Sequence, residues 1–472
     1  MFFFRKQKVT LLVLTSIILY FLFGYFLERT AFYKLLFLWS ALFGCFYFLI
    51  NNKKISFSNL VGISILFRLI FLFTTPNLSQ DFYRFIWDGR MILEGLNPYL
   101  SYPEYFMQQR IYPIAEASEL YLGMGELNGS HYSNYPPLNQ LCFLIAAIFS
   151  SKSIFGSIIV LRSIIILADI GILYFGSKLL QKLNLPKRNI FWYILNPFII
   201  IEMTGNLHFE SVMLFFFIVG MYKLHQQKWI LAAIFIGLSI SLKLLPLLFL
   251  PLFFKWFVKN RDLDLEFIQC KKNVVNLEKN IPAFMGISKL IAFYAIILST
   301  ITLLFLPFYS SELLENYTKS IALWFGKFEF NASFYYIFRE IGYVFRGYNE
   351  IAIIGKITAI STILFLIILT FFRKNTSFKQ LFTAMLFGLC FYYFTATTLH
   401  PWYIATPLLL SVFTKYKFPI LWSLVVILSY QVYANELWKE NPFILIIEYL
   451  LVFGFLIYEL KNKSSKNNNL II

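Results

Sequence analysis

Between Ser79 and Tyr99 the chain reads SQDFYRFIWDGRMILEGLNPY, with Asp81, Arg84 and Asp88 spaced three and four residues apart. Ser79 offers a cap at the start of a helix, Gly95 and Pro98 close it, and the apolar residues between the charges suit a helix lying at a membrane interface. At 100° per residue the three charged groups fall within about 60° of one another on one face. A carboxylate there, held by a neighbouring guanidinium near a low-dielectric boundary, has the chemistry to take a proton from an attacking hydroxyl. The same spacing also fits Asp81 as a charge that supports the helix N-terminus, with Arg84 and Asp88 as an ordinary surface pair.

Other polar groups interrupt apolar runs. His208 and Glu210 lie in EMTGNLHFES, where Gly205-Asn206 breaks two runs; such a turn either binds hydroxyls or is a capped connection between helices. Lys243, in SLKLLPLLFLP, has apolar neighbours on both sides, and Pro246 and Pro251 bend or shorten the helices around it. A lone cation there either meets an anion such as a lipid phosphate or snorkels to the interface. His400-Pro401-Trp402-Tyr403 begins a span, with Trp402 and Tyr403 as aromatic-belt anchors or as a platform for a lipid chain or sugar. Arg68, Arg162 and Asp169 sit deeper within spans. Arg162 and Asp169, two helical turns apart, share a face and read as a structural buried pair or network.

The elements that must position these residues are set by composition. Of 472 residues 59% are hydrophobic, 20% aromatic and only 14% charged, more apolar surface than one water-soluble core hides. Apolar runs of about 15 to 25 residues fit a hydrocarbon layer about 30 Å thick. The fold class is therefore all-α, a polytopic helical membrane protein. The net charge of +17 resides in short connectors, where the positive-inside rule accounts for it without nucleic acid. Cys45, Cys142, Cys270 and Cys390 are scattered, with no CxxC pair and no His partner at metal spacing, so neither a disulfide framework nor a zinc site is expected.

MFFFRKQK followed by the apolar stretch 9–27 reads as a retained signal anchor that starts in the cytoplasm. With 31–50 it forms a hairpin returning to the basic 51–54, and 57–75 leads outward to the acidic Pro76–Pro137, the first large external loop. Basic connectors at Lys182–Arg188, Lys223–Lys228, Lys255–Lys289, Arg373–Lys379, Lys415–Lys417 and Lys461–Lys466 belong inside. That choice puts Asp81, Arg84, Asp88, His208, Glu210, Lys243, His400 and Trp402 together at outer ends or turns. Run 154–180 is long enough to cross, whereas 138–150 reads as a partial or re-entrant helix. About twelve to fourteen crossings result, with both termini cytoplasmic. They divide into an N-terminal hairpin (1–56), a central module (57–415) and a C-terminal hairpin with a basic tail (416–472), and no repeat relates the halves.

In their order along the chain, SQDFYRFIWDGRMILEGLNPY, NYPPLNQL (Asn134–Leu141), NPFIIIEMTGNLHFES (Asn196–Ser211), GLSISLKLLPLLFLP, FEFNASFYYIFR (Phe328–Arg339) and HPWYIATPLLL resemble bacterial polytopic mannosyltransferases of the GT-C superfamily. The resemblance implies a GT-C-like bundle in the bacterial inner membrane and inverting transfer of a hexose, here mannose, on the external or periplasmic face. The donor it implies is a polyprenyl-phosphate sugar, and the acceptor a lipid or glycan. It implies Asp81 as general base, Lys243 and Arg84 for the donor phosphate, and Asp88, His208, Glu210, His400 and Trp402 for the sugar or acceptor. Related sequences often show two adjacent acidic residues where this chain has Gln80-Asp81, which leaves the base role to Asp81 alone and leaves a divalent cation open as a cofactor. No glycine-rich phosphate loop or DxD occurs in the basic connectors, so no nucleotide-sugar site is expected. The alternative is a multi-span transporter or lipid-linked-sugar flippase, which also uses short and partial spans but tends to place its ionisable groups near the midplane.

Overall fold

The computed structural model describes residues 2–259, 283–326, 328–435 and 437–468. Cys270, the middle of the Lys255–Lys289 connector and Asn469 lie outside them. The described residues form an all-α polytopic bundle whose only strand-like feature is one bridge between Phe330 and Thr398. Helices α1 (Phe2–Phe26), α2 (Phe32–Asn51) and α3 (Phe57–Ile70) come first. The segment expected as an external loop carries α4 (Asp81–Leu93), α5 (Pro103–Gln108) and α6 (Ala117–Gly129). Then follow α7 (Pro137–Phe149), α8 (Ile154–Lys182), the single turn α9 (Phe191–Ile194), α10 (Glu210–His225) and α11 (Trp229–Ile240).

Helix starts follow the side chains that can satisfy free amides. Ser56 accepts from the Asn59 amide at the start of α3, Ser153 accepts from Gly156 at α8, and Ser377 forms a reciprocal box with Gln380 at Phe378–Thr395. Pro137 begins α7, where its missing N–H costs nothing.

Six described helices are long and apolar enough to cross a membrane: Gln7–Phe26, Phe32–Asn51, Ile154–Lys182, Gly286–Phe308, Ile351–Phe371 and Pro442–Asn462. A seventh crossing is available if Ile199–Gly205 and α10, bent by 108° at their junction, act as one broken span. The rest of the expected twelve to fourteen would have to come from short apolar helices such as α3, α7, α11 and Phe418–Ala434. The 13 residues of α7 cover about 20 Å at 1.5 Å per residue.

Polar residues inside the bundle are tied down. Arg68 Nε meets Asp169 Oδ2 at 2.8 Å, and Arg68 Nη1 donates to the Ser64 and Ile194 carbonyls at 3.0 and 2.8 Å. The expected pairing of Arg162 with Asp169 is corrected here. Although they share a face of α8, two turns separate them by roughly 10 Å, and Arg162 instead donates to the carbonyls of Leu72, Thr74, Thr204 and Gly205 at 2.6–3.1 Å. Arg162 thereby clasps the end of α3 to the break before α10. Asp169→Ala leaves a buried guanidinium without its counter-ion, and breaking such a pair costs about 3–5 kcal/mol. Thermal unfolding in detergent is expected to show a clearly lower midpoint, and an unchanged midpoint would remove this pair from the account of stability.

Close packing sets α4 against α7. A Cβ on Gly89 would lie 2.2 Å from the Phe143 carbonyl oxygen, so only glycine allows this approach. Phe85 stacks on Phe143 at 4.6 Å, and Phe209, from the break before α10, meets both rings edge-on.

Candidate active site

The start of α4 is held by three neighbours. Asn77 donates to the Phe23 and Leu27 carbonyls at the end of α1, Asn206 Oδ1 accepts from the Leu78 amide at 2.9 Å, and Gln80 donates to the Met124 carbonyl at 2.9 Å. Ser79 Oγ accepts from the Asp81 amide at 3.3 Å, and Asn128 donates to Asp81 Oδ1 at 3.3 Å. Asp81 keeps partial exposure at the edge of this arrangement. The protein packed around it pushes its carboxyl above the usual range, while the charges of Lys243 and Arg29 and the Asn128 bond pull it back. A carboxylate with a raised pKa is a stronger base than one in water, which suits proton abstraction.

The three charges expected to act together on α4 divide instead. Arg84 Nε meets Asp88 Oδ1 at 2.8 Å, and Arg84 Nη1 donates to the Asn128 and His131 carbonyls at 2.6 and 3.0 Å. Asp88 Oδ2 accepts from Ser133 and Gln140 at 2.5 and 2.9 Å. Both side chains are buried, so they brace the segment 128–140 against α4 and leave Asp81 without an arginine partner on its own helix.

What Asp81 meets comes from elsewhere in the chain. Lys243 follows α11, whose end is fixed by the Leu138 amide donating to the Ser241 carbonyl at 2.9 Å. Its ammonium is bonded to Glu210, which is buried, while the lysine side chain stays 23% exposed. It also lies 6.0 Å from the centre of the Tyr403 ring. The Lys243 charge reaches Asp81, Glu210, His208 and His400 alike, so groups from four separated segments form one electrostatic cluster.

Beside the cation stands a stack of flat rings. His208 lies over Trp402 at 3.9 Å and 16°, and Trp402 over His400 at 4.5 Å and 3°. Phe328 and Phe330 continue it against His400, held there by the Phe330 amide to Thr397 and the Leu399 amide to Phe330. The surrounding protein and the Lys243 charge push the His400 imidazole down to about 3, so it is neutral at physiological pH. Neutral stacked rings present a planar apolar face beside polar edges, a surface that suits the C–H face of a ring-shaped ligand.

Three members of this neighbourhood carried little signal in the sequence. Glu202, buried in the widened helical turn Ile199–Gly205, accepts from Tyr430 Oη at 2.8 Å and lies 3.5 Å from His208 Nε2. A carboxylate inside an apolar run is itself a signal, and widened turns of this kind recur at functional sites. Arg29 lies over the Tyr433 and Trp438 rings at 4.2 and 5.5 Å. Tyr430 had no distinguishing context. Among the described residues no three His, Cys, Asp or Glu side chains gather as a cation site.

Residues 10–259, a stretch that holds Asp81, Glu202, His208, Glu210 and Lys243, match the family model described as "Alpha-(1->6)-mannopyranosyltransferase, N-terminal domain". No curated protein and no solved structure matches the chain.

Proposed function

The chain belongs to the alpha-(1->6)-mannopyranosyltransferase family, and from that premise we propose that it moves mannose from a polyprenyl-phosphate donor to a lipid or glycan hydroxyl on the external face of the bacterial inner membrane. What supports this reading is a cation, Lys243, bonded to the buried Glu210 and set beside Tyr403, whose charge acts on the carboxyl of Asp81 from a distant segment. Asp81 takes the proton of the incoming hydroxyl as its oxygen bonds to the anomeric carbon. The bond from that carbon to the phosphate oxygen breaks on the opposite side, which inverts the centre. The electron pair passes to the phosphate, where Lys243 stabilises the growing charge.

Glu210 pairs with that ammonium until a phosphate competes for it. The sugar lies on the His208–Trp402–His400 stack, and Glu202 orients His208. Arg84 and Asp88, committed to one another and to the segment 128–140, act as braces rather than as ligands of donor or acceptor. Charge supports the external face: the segment 76–137 that supplies Asp81 is acidic, and the basic connectors favour the cytoplasmic side under the positive-inside rule.

Membranes containing the protein, given radiolabelled polyprenyl-phosphate mannose and a membrane acceptor fraction, are expected to transfer label. Transfer from a nucleotide sugar alone, with none from any polyprenyl donor, would overturn the donor assignment. Trp402→Ala removes the middle ring of the stack. An aromatic contact worth about 0.5–1.5 kcal/mol predicts KM for one substrate roughly twofold to tenfold higher, with a smaller change in kcat. Steady-state kinetics with each substrate varied in turn measures this, and an unchanged KM for both would exclude the stack from binding.

A further inference from the structure

Phe330, packed against His400 at 5.4 Å, is followed by Asn331, whose backbone turns through the left-handed region at φ 46°. Asparagine tolerates that conformation better than most residues. Groups from the last helix, Pro442–Asn468, and from the residues just before it close on Asn331. Glu440 Oε1 accepts from its amide at 2.7 Å, and the Tyr449 hydroxyl donates to its carbonyl at 2.6 Å. Its side-chain Nδ2 donates to Glu448 Oε1 at 3.2 Å.

Glu448 lies in a helix long and apolar enough to cross a membrane, and both it and Asn331 are 0% exposed. Trp422 Nε1 donates to the same Oε1 at 3.4 Å, while Glu448 Oε2 and Asn331 Oδ1 are buried without a partner. Among the described residues no lysine or arginine bonds either oxygen of Glu448. The titratable groups around it are Tyr449, the next residue, and Glu440, itself an acid and shared between the Asn331 amide and Tyr336. A carboxylate buried with an idle oxygen and no cation is costly. Both side-chain groups are planar. An amide that donates to one oxygen of a carboxyl can accept from the other through its own oxygen, provided that the acid carries a proton. One proton therefore satisfies both idle oxygens.

We propose that Glu448 is a neutral acid whose hydroxyl donates to Asn331 Oδ1, and that this two-bond ring makes Glu448 a positioning residue for the aromatic stack, acting through Asn331 on Phe330. Phe330 is gripped from its other side, where its amide donates to the Thr397 carbonyl at 3.2 Å and its carbonyl accepts from the Leu399 amide at 2.8 Å. Residues 330–331 thus tie the last helix to the segment that carries His400 and Trp402. The protonated state is independent of the transfer reaction, whereas its effect on substrate rests on the stack as a sugar platform.

Infrared difference spectra of the full-length protein in nanodiscs at neutral pH, wild type minus Glu448→Gln, are expected to show the C=O stretch of a protonated carboxyl. Carboxylate stretches in its place would overturn the proposal. Glutamine offers an N–H and a C=O in one plane and rebuilds both bonds to Asn331, whereas Glu448→Met fills the space and makes neither. Glu448→Met is expected to raise KM for one substrate roughly twofold to tenfold, with a smaller change in kcat, and Glu448→Gln to return it to within about twofold of the wild type. An unchanged KM in Glu448→Met, or a glutamine variant as impaired as the methionine one, would overturn the positioning role. The infrared band is read on the glutamine variant alone and decides the protonation whether or not Glu448→Met folds. A raised KM in Glu448→Met beside an unchanged one in Trp402→Ala would count against the sugar platform and leave the ring standing.

Discussion

Asp81→Asn is expected to lower kcat for mannosyl transfer about 100-fold to 10,000-fold, the usual contribution of a positioned general base, while the protein folds and inserts normally. Asparagine preserves the shape and still offers an oxygen to Asn128, so α4 keeps its position. What it loses is the ability to accept a proton. The wild-type enzyme should also show an acid limb. Asp81 acts only when ionised, and burial raises its pKa above 3.8, so the rate falls as pH drops through that raised value. The residual activity of Asp81→Asn should lack this limb. A variant that retains full rate, or one that keeps the same acid limb, would take Asp81 out of the proton transfer.

The broad architecture was legible because apolar length and the sign of connector charge are local properties. The positions of α1, α2 and α8 follow from runs long enough to cross, and that of α8 also from the Ser153 side chain that caps it. The breaks themselves were also legible, since Gly205-Asn206, Pro246 and His400-Pro401 each interrupt an apolar run. Pair choice was less accessible. Helical spacing put Arg162 and Asp169 on one face, yet the partner of Asp169 is Arg68 on another helix, a contact that only tertiary packing creates. The same holds for α4, where Arg84 turned away from Asp81 because the carbonyls of Asn128 and His131 were within reach. Arg29 was obscured by its connector, where basic residues are read first as topology signals.

Lys243→Met should produce the second large effect, through charge rather than proton transfer. Removing one group that stabilises charge developing in the transition state typically costs about 100-fold to 1,000-fold in kcat, and methionine keeps most of the packing beside Tyr403. A second consequence separates this role from simple anchoring. The Lys243 charge lowers the pKa of Asp81, so its loss lets burial push that pKa higher and moves the acid limb of the rate to higher pH. Glu210 would be left behind as a buried carboxylate without its cation, so Lys243→Met combined with Glu210→Gln isolates the missing positive charge. Lys243→Arg restores a cation and should recover both the rate, in part, and the position of the limb. A lysine that only snorkels to the interface would leave kcat within a few-fold and the limb in place, because an interfacial anchor has no field at the base.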